Sequence, residues 1–438
     1  MKAIGIRRED KSRWERRAPL TPHHVERLVR ETGMKIYVQP STIRVFPDEA
    51  YVKAGAVVQE DLSPCHAIVG IKEIPADQFE EGKTYLFFSH TIKGQPYNMP
   101  MLRRMMEKRC QLVDYEKIVD AKGRRLVLFG RHAGLAGMIE SLHALGKRLG
   151  AEGVKEKENP FFNLRQPYRY ANLDEATSEL RRIGQGIAAE GLPECASPLI
   201  VGFLGYGNVS KGAQEILDNL PVEELKPEQV LSVAPQGLSN RTLYKVVFRE
   251  EDTVEASDGS AFSLDRYYAA PELYRPVFSR YLACLTVLVC GVYWDERYPV
   301  LVSAEDVRNL YAGGGRPMLR VIGDITCDIE GTIAITRKPT MPDRPSYVYD
   351  AVKDTLDDDL SNLRGPVVMA VEILPTEFPV ESSSHFGDAL LPFLPALAAE
   401  DFQGDFAACG LPQPIREAVI LYHGRLTGPY RYLEKHLA

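Results

Sequence analysis

The sequence lacks the features by which disulfide-rich, zinc-binding and membrane-spanning chains are recognised. Its seven cysteines are odd in number and scattered, without a CxxC pair, which argues against a disulfide framework and a zinc site. The longest apolar run, from Tyr281 to Tyr293, is too short to cross a bilayer and indicates a buried strand. The N-terminus turns charged after three apolar residues, unlike a secretory signal, so we expect a cytoplasmic protein.

The chain also lacks a concentration of positive charge. There is no extended Lys/Arg run, and the formal net charge is −7, so we expect neither nucleic acid nor a membrane as a partner. The acidic stretch 354–362 lacks the spacing of a calcium loop and is expected on a solvated loop. Because no metal-ligand constellation is visible, we predict no metal site.

The length of 438 residues exceeds one ordinary core and predicts two domains. In the first part, short apolar segments alternate with helical ones. Strands are predicted at 2–7, 35–39, 67–71, 84–88 and 111–115, and helices at 22–32, 48–54 and 99–109. Thr21 is the expected N-cap of the first helix, with Pro22 in its first turn and Gly33 at its end. This alternation predicts a parallel α/β sheet.

The second part continues the α/β pattern. Helices are predicted at 134–150, 173–190 and 208–217, strands at 199–204, 222–226, 243–248, 285–290 and 319–322, and a surface turn or hairpin at 251–260. The polar segment 151–172 is expected to be a loop or linker. The chain is expected to finish with helices at 386–399, 415–422 and 430–437. The fold class is therefore α/β, with two Rossmann-like doubly wound parallel-sheet domains and an active site in the cleft between them.

Polar clusters follow three successive strands of the first domain. They contain Lys72 and Glu73, Ser89 and His90, and Glu116. The carboxyl ends of strands face the ligand crevice in open α/β sheets, although ordinary polar loops would give the same pattern. His90 is the acid–base candidate because imidazole titrates near neutral pH, and Lys72 is a second proton carrier if burial lowers its pKa.

Further charged residues are candidates for holding a substrate. A guanidinium matches a carboxylate, so Arg17 and Lys93 are expected to hold carboxylates. Glu15 and Glu116 would receive a substrate ammonium or tune the Lys/His pair, and Asp324 follows a strand of the second domain. Surface ion pairs are the alternative for these residues. Such a set suits reductive amination through an imine, which needs proton transfers, a hydride and carboxylate anchors.

A glycine-rich turn connects the strand at 199–204 to the helix at 208–217. Gly205 and Gly207 allow close approach of a pyrophosphate, and Asn208, Val209 and Ser210 open the helix whose N-terminus favours anions. A close-packed structural turn is the alternative. Lys226 lies roughly where an acidic residue usually binds the adenosine ribose, which favours NADP(H) and leaves NAD open.

At this point the residues resemble a known family. The segments WERRAPLTP (14–22), FFSHTIK (87–93), DYEK (114–117) and GYGNVSKGA (205–213) are similar to the lysine–ketoglutarate reductase half of α-aminoadipic semialdehyde synthase. More broadly, the chain resembles lysine-forming saccharopine dehydrogenases and the alanine dehydrogenase superfamily. GVYW (291–294) and FGDALLP (386–392) extend the resemblance over almost the whole chain.

The resemblance implies an NADP(H)-dependent oxidoreductase that condenses lysine with 2-oxoglutarate to saccharopine in lysine degradation. It implies a catalytic pair, Lys72 and His90, and substrate or tuning positions at Glu15, Arg17, Lys93, Glu116 and Asp324. It also implies a substrate domain, 1–133, that is completed by C-terminal helices within 380–438, and a dinucleotide-binding domain, 134–379.

The sequence departs from that family in two ways. The half that splits saccharopine is missing, so we expect that activity to be absent or supplied by a separate glutamate-forming saccharopine dehydrogenase. Arg131 and His132 replace bulkier apolar or aromatic residues, so the amino donor would differ from lysine if that loop lines the pocket. Alternatives are a carboxyalkyl-ornithine synthase, an alanine dehydrogenase or a non-catalytic dinucleotide-binding sensor.

Overall fold

The computed structural model describes residues 3–232, 237–313 and 317–437. Its strands are, in chain order, β1 (Ile4–Ile6), β2 (Ile36–Val38), β3 (Val57–Val58), β4 (Ala67–Val69), β5 (Thr84–Phe87), β6 (Gln111–Asp114), β7 (Leu199–Leu204), β8 (Val222–Glu224), β9 (Leu243–Phe248), β10 (Val254–Ala256), β11 (Tyr274–Pro276), β12 (Val287–Cys290), β13 (Val321–Asp324), β14 (Ser346–Asp350), β15 (Thr355–Asp357), β16 (Val367–Met369), β17 (Val419–Tyr422) and β18 (Arg425–Leu426).

The helices vary from single turns to the 22-residue α4. They are α1 (Pro22–Thr32), α2 (Asp48–Lys53), α3 (Met99–Glu107), α4 (Gly130–Ala151), α5 (Leu173–Glu190), α6 (Asn208–Leu217), α7 (Pro227–Ser232), α8 (Glu250–Thr253), α9 (Leu264–Ala269), α10 (Ser279–Leu282), α11 (Ala304–Ala312), α12 (Pro379–Leu390), α13 (Leu394–Ala399), α14 (Gln413–Glu417) and α15 (Glu434–Leu437). Within the described ranges, no helix is both long and apolar enough to cross a membrane.

The chain divides into two compact units. The first comprises Met1–Phe129 together with Pro379–Ala438, and the second comprises Gly130–Phe378. Each unit contains a mostly parallel sheet of eight strands among the described residues, with helices around it. The fold class predicted from the sequence, with two Rossmann-like sheets, is confirmed.

The first unit has the strand order β18-β17-β6-β5-β4-β1-β2-β3. The strands from β1 to β6 pair in parallel, and the chain places β2 and β3 on one side of β1 and β4, β5 and β6 on the other. The order therefore reverses between β1 and β4. Ligands of open α/β sheets bind at the carboxyl ends of the strands at such a switch point.

C-terminal residues complete the core of the first unit. Phe386, Leu390, Leu394 and Leu397, from α12 and α13, are fully buried in the same cluster as the strands β1, β4, β5 and β6. Each such side chain contributes about 2–3 kcal/mol of apolar burial. The first unit thus depends on two distant parts of the chain.

The second unit has the strand order β15-β14-β16-β13-β12-β7-β9-β8. The central strands pair in parallel, and β14 and β15 are antiparallel additions at one edge. The order reverses between β7 and β12. β9, and not β8, pairs directly with β7, although β8 comes first in the chain.

Several elements agree closely with the sequence. Thr21 caps α1 by accepting from the backbone N–H of His24, and Gly33 ends the helix with a φ of 66°. The predicted bounds of α5, β7, α6 and β9 match the structure residue for residue. Local signals mark them: Asn172 caps α5 through its side chain, β7 is a continuous apolar run, and the glycine turn precedes α6.

Other elements differ from the sequence prediction. The predicted helix at 415–422 is wrong: α14 ends at Glu417, and residues 419–422 form β17, which pairs with β6. The predicted linker, 151–172, is packed into the second unit, because Phe161 is fully buried and the Asn159 side chain donates to the carbonyl of Gly146. Within the acidic loop predicted at 354–362, residues 355–357 form the edge strand β15.

Candidate active site

Several predicted site residues lie at the carboxyl edge of the first sheet, together with Glu9, which was not predicted. Lys72 follows β4, His90 follows β5, and Glu116 follows β6, while Glu9 follows β1 on the other side of the switch point. Parallel strands end at the same edge, so the loops after them share one face of the unit. The sheet order therefore explains why residues distant in sequence are brought together.

Lys72 lies at this switch point with its backbone held by Glu9. The buried Glu9 carboxylate accepts from the backbone N–H of Ile71 at 2.6 Å and from that of Lys72 at 3.0 Å. Burial of the Lys72 ammonium, reinforced by the positive charge of Arg17, lowers the pKa of Lys72. A lysine with a lowered pKa releases its proton more readily near neutral pH, as a proton carrier must.

His90 is oriented by Glu73. Its Nδ1 lies 2.7 Å from the Glu73 carboxylate, and the same carboxylate accepts from the Lys11 ammonium at 2.7 Å. Burial opposes ionisation of Glu73, but the hydrogen bonds and charges of His90 and Lys11 outweigh it and hold its pKa well below the ordinary value. An ionised Glu73 favours a proton on Nδ1, which leaves Nε2 for exchange with a substrate.

The backbone at His90 is in the left-handed region, with a φ of 48°. The Asn98 side chain donates to the His90 carbonyl at 3.1 Å, and the His90 ring lies nearly parallel to that of Phe88. A left-handed non-glycine residue is uncommon and must be held by its surroundings. The neighbours of His90 supply that support.

Glu15 and Arg17 form a buried bidentate pair. Arg17 donates to the Glu15 carboxylate from Nε at 2.6 Å and from Nη2 at 2.5 Å, and its guanidinium lies 4.1 Å from the centre of the Phe129 ring. Both charges act on Lys72, Arg17 lowering and Glu15 raising its pKa. The structure thus brings Glu15, Arg17 and Lys72 together. Two of the three guanidinium nitrogens of Arg17 already donate to Glu15.

Glu116 and Lys93 lie further along the same edge. The Glu116 carboxylate pairs with Arg125 at 3.0 Å, and its backbone N–H donates to Asp114. Lys93 has an exposed side chain, and its backbone N–H donates to Gln95. Burial and the charge of Glu116 raise the pKa of Asp114 to about 6, although its carboxylate also accepts from the hydroxyl of Ser89.

The second unit holds the glycine-rich turn at its own switch point, between β7 and β12. Gly205 has a φ of 87°, and a Cβ there would approach Val292 Cγ1 to 2.6 Å. Gly207 caps the ten-residue helix α6, which Asn208, Val209 and Ser210 open. Gly205 and Gly207 line a cavity of about 270 Å³ with aromatic walls. A glycine that no side chain can replace and a helix N-terminus fit the phosphates of a dinucleotide.

Lys226 does not have the position on which its predicted role depended. The prediction assumed that the strand before it is the neighbour of β7, but β9 separates β8 from β7. The residues that follow the true neighbour are Arg249 and Glu250, and both line the cavity with the glycine turn. After β7 the chain forms the edge strand β8 first and only then β9, which lies between them. The spacing of the sequence does not reveal this order.

Arg249 and Glu250 offer opposite charges at this cavity. The exposed Arg249 guanidinium lies 5.1 Å from the centre of the Tyr206 ring, and it forms no ion pair with any carboxylate in the described part of the chain. The Glu250 carboxylate accepts from the Tyr268 hydroxyl at 2.6 Å. These residues were missed because the strand order was not known.

Asp324 is the one predicted substrate residue that lies in the second unit. It ends β13, is buried, and accepts from the hydroxyls of Thr326 and Thr336 at 2.7 Å each. Burial raises its pKa, against these hydrogen bonds. In residues 3–232, 237–313 and 317–437, no group of three or more His, Cys, Asp and Glu side chains is arranged to hold a metal ion.

Comparisons with known proteins show what this chain is similar to. Residues 5–136 match the family model described as "Alanine dehydrogenase/PNT, N-terminal domain". α-Aminoadipic semialdehyde synthase, mitochondrial, from Bos taurus is 36% identical, over 99% of this chain and 47% of that protein. The predicted resemblance is confirmed.

More distant relatives extend the comparison. The saccharopine dehydrogenase [NAD(+), L-lysine-forming] of Yarrowia lipolytica is 25% identical, over 88% of this chain and 90% of that protein. The solved structure of an L-alanine dehydrogenase covers both chains fully, with a TM-score of 0.60 and 18% identity, and therefore shares the fold. The chain spans less than half the length of the semialdehyde synthase, and its similarity is to oxidoreductases.

One departure from the family has a structural explanation. Arg131 lies in the first turn of α4 and pairs with Glu215 of α6, through two hydrogen bonds of 2.6 and 2.9 Å. The expectation that residues 131 and 132 form a loop is wrong, because α4 begins at Gly130 and not at residue 134. Arg131 is thus explained by helix packing within the second unit.

Proposed function

We propose that this chain catalyses the NADP(H)-dependent condensation of lysine with 2-oxoglutarate to saccharopine, a step of lysine breakdown. The observation that supports it best is the position of Lys72: half-buried, with a lowered pKa, and beside the Glu73–His90 pair at a switch point. The substrate ammonium must lose a proton before its nitrogen can attack a ketone, and the resulting carbinolamine must gain a proton before water can leave. Two proton carriers of different chemistry, an amine and an imidazole, meet both needs.

The residues of the first unit carry the proton transfers in this proposal. Lys72, neutral through desolvation, takes the proton of the substrate ammonium. The imidazolium of His90, stabilised by Glu73, donates from Nε2 to the carbinolamine oxygen, so that water leaves and a protonated imine remains. Arg17 offers its remaining Nη1 to a substrate carboxylate, because Glu15 accepts from Nε and Nη2.

The remaining predicted residues assist binding in this proposal. Lys93 holds a second carboxylate, Glu116 and Glu15 balance the positive charges, and a substrate role for Asp324 stays a prediction. A reduced nicotinamide, when bound, would supply the hydride that converts the protonated imine to the secondary amine. The glycine turn at Gly205 and Gly207 and the start of α6 would hold its pyrophosphate, since a Cβ at Gly205 would fill the turn.

The choice of NADP(H) rests on Arg249. Its guanidinium lines the cavity beside the glycine turn, after the strand that pairs with β7. A cation at this place pairs with a 2′-phosphate, whereas a free carboxylate would bind the ribose hydroxyls of NAD. The Glu250 carboxylate already accepts a hydrogen bond from the Tyr268 hydroxyl. Arg249 therefore has the stronger influence on the choice between NADP(H) and NAD. This argument replaces the one made from Lys226.

The proposal is tested by NADPH oxidation with 2-oxoglutarate and three amino donors, lysine, ornithine and ammonia, beside an NADH control. Turnover with lysine is expected, and His90→Gln should lower it by about 100-fold or more. His23→Gln, an exposed histidine on α1, is the matched control. Turnover with ornithine or ammonia but not with lysine would contradict lysine as the amino donor. Tight NADPH binding without any turnover would identify a non-catalytic sensor.

Two cellular features stay predictions. A cytoplasmic location is one, although the Bos taurus relative is named as mitochondrial. The other is a separate glutamate-forming saccharopine dehydrogenase that consumes the product. Cell fractionation tests the first, and saccharopine accumulation after loss of such an enzyme tests the second.

A further inference from the structure

A basic cavity lies at the edge of the first sheet opposite the candidate active site. It lies beside the start of β6 and the end of the antiparallel β17, whereas the active-site loops follow the carboxyl ends of the parallel strands. β6 spans about 10 Å at ~3.3 Å per residue, which separates this cavity from Asp114 and Ser89. The cavity is thus a distinct feature of the first unit.

Three guanidiniums, Arg109, Arg425 and Arg431, line this cavity together with His423. Asp405 is the one carboxylate among the lining residues. All three arginines are exposed, and none forms an ion pair with a carboxylate of residues 3–232, 237–313 or 317–437. Three like charges around one cavity repel each other, and a bound anion would remove that repulsion.

The backbone around the cavity is held in place. β17 and β18 are joined by a two-residue turn, His423 and Gly424, with φ values of 48° and 71°. The Gly424 N–H donates to the Cys110 carbonyl at 2.9 Å, and a Cβ at Gly424 would lie 2.2 Å from the Met106 carbonyl oxygen. The hairpin is therefore pinned to the turn that carries Arg109, which itself has a φ of 51°.

The cavity also has aromatic walls and room for a small molecule. Its volume is about 770 Å³. The Tyr422 ring lies 5.3 Å from that of Phe406 and 4.5 Å from that of His423, centre to centre. Guanidinium forks match phosphate oxygens, and aromatic faces accept a planar base. We propose that this cavity binds a polyvalent phosphate anion, either a nucleoside polyphosphate or inorganic polyphosphate.

The test is calorimetry with ATP and with inorganic tripolyphosphate, in metal-free buffer and with NADPH at saturation to block the dinucleotide site. The double variant Arg425→Gln, Arg431→Gln should weaken binding by about 10- to 100-fold, from the loss of two charge-assisted contacts. The control is Arg27→Gln, Arg30→Gln, which removes the same charge from α1, where both arginines are exposed and pair with Glu31.

Binding of both ligands, lost in the cavity variant and kept in the control, supports the proposal and identifies the phosphates as the recognised group. Binding of ATP alone, lost in the same way, supports it and identifies a nucleoside polyphosphate. No binding to the unaltered protein overturns it, as does an equal loss in both double variants. Circular dichroism of each variant checks that the fold is kept. These outcomes do not depend on the amino donor.

Discussion

The Glu9 carboxylate supports Lys72, and its replacement by glutamine tests that arrangement. Glu9 is 6% exposed and accepts two backbone N–H groups, one of them from Lys72. Burial, together with the charge of Glu15, raises its pKa from 4.5 to about 7, against these hydrogen bonds and the charge of Arg7. At about 1.4 kcal/mol per pH unit, this difference corresponds to about 3 kcal/mol.

The sign of the effect follows from proton linkage. Folded Glu9 holds its proton to a higher pH than unfolded Glu9, so the stabilisation is complete below about pH 4.5 and is lost as the pH rises through about 7. The side-chain amide of the Glu9→Gln variant carries no titrating proton. Between about pH 4.5 and pH 7.5, the free energy of unfolding of the unaltered protein should therefore fall by about 3 kcal/mol relative to Glu9→Gln.

The two tryptophans allow the first unit to be followed alone. Trp14 lies in the first unit and Trp294 in the second, so urea unfolding in a Trp294→Phe background reports on the first unit. Glu26→Gln, an exposed position on α1, is the matched control and should leave the pH dependence unchanged. If Glu9→Gln and the unaltered protein showed the same pH dependence, the reasoning about Glu9 would be refuted.

Three further predictions concern the two candidate sites. Lys72→Arg keeps the charge but cannot release a proton, so kcat should fall by about 100-fold or more while NADPH fluorescence still reports tight binding; near-normal kcat would exclude Lys72 as a proton carrier. Gly205→Ala combines a left-handed φ with a Cβ 2.6 Å from Val292, so NADPH affinity should fall by at least about 10-fold, whereas Gly186→Ala on α5, where a Cβ meets nothing within 4 Å, should leave it unchanged. Arg249→Gln should raise the KM for NADPH by about 10-fold and leave that for NADH almost unchanged, and an equal rise for both would remove its role in cofactor choice.

Local signals account for the elements that the sequence predicted well. α1 has a side-chain cap, a proline and a terminal glycine, and β7–α6 has an apolar run followed by the glycine turn. These features act within a few residues and are visible in a single sequence. The same holds for the polar residues after β4 and β5, whose common edge follows once parallel strands are recognised.

Long-range pairing accounts for the elements that were missed. Residues 419–422 are apolar enough for either a buried helix or a strand. They form a strand because they pair with β6, which lies more than 300 residues earlier in the chain. The position of β9 between β7 and β8 likewise depends on how the chain connects these strands. The spacing of the strands along the sequence does not reveal that connection. This second case had a functional consequence, because it moved the expected ribose contact from Lys226 to Arg249 and Glu250.

The two units use the same sheet geometry for different chemistry. At the second switch point, β7 is followed by Gly205 and Gly207 and then at once by a helix, so free backbone N–H groups are available to phosphates. At the first switch point, β1 is followed by Arg7, Arg8 and Glu9, and no helix begins before Pro22. A buried carboxylate thus lies where the second unit has its glycine turn, and it holds the backbone of a lysine. This difference supports the proposal that the second unit binds the dinucleotide and that the first carries the proton transfers.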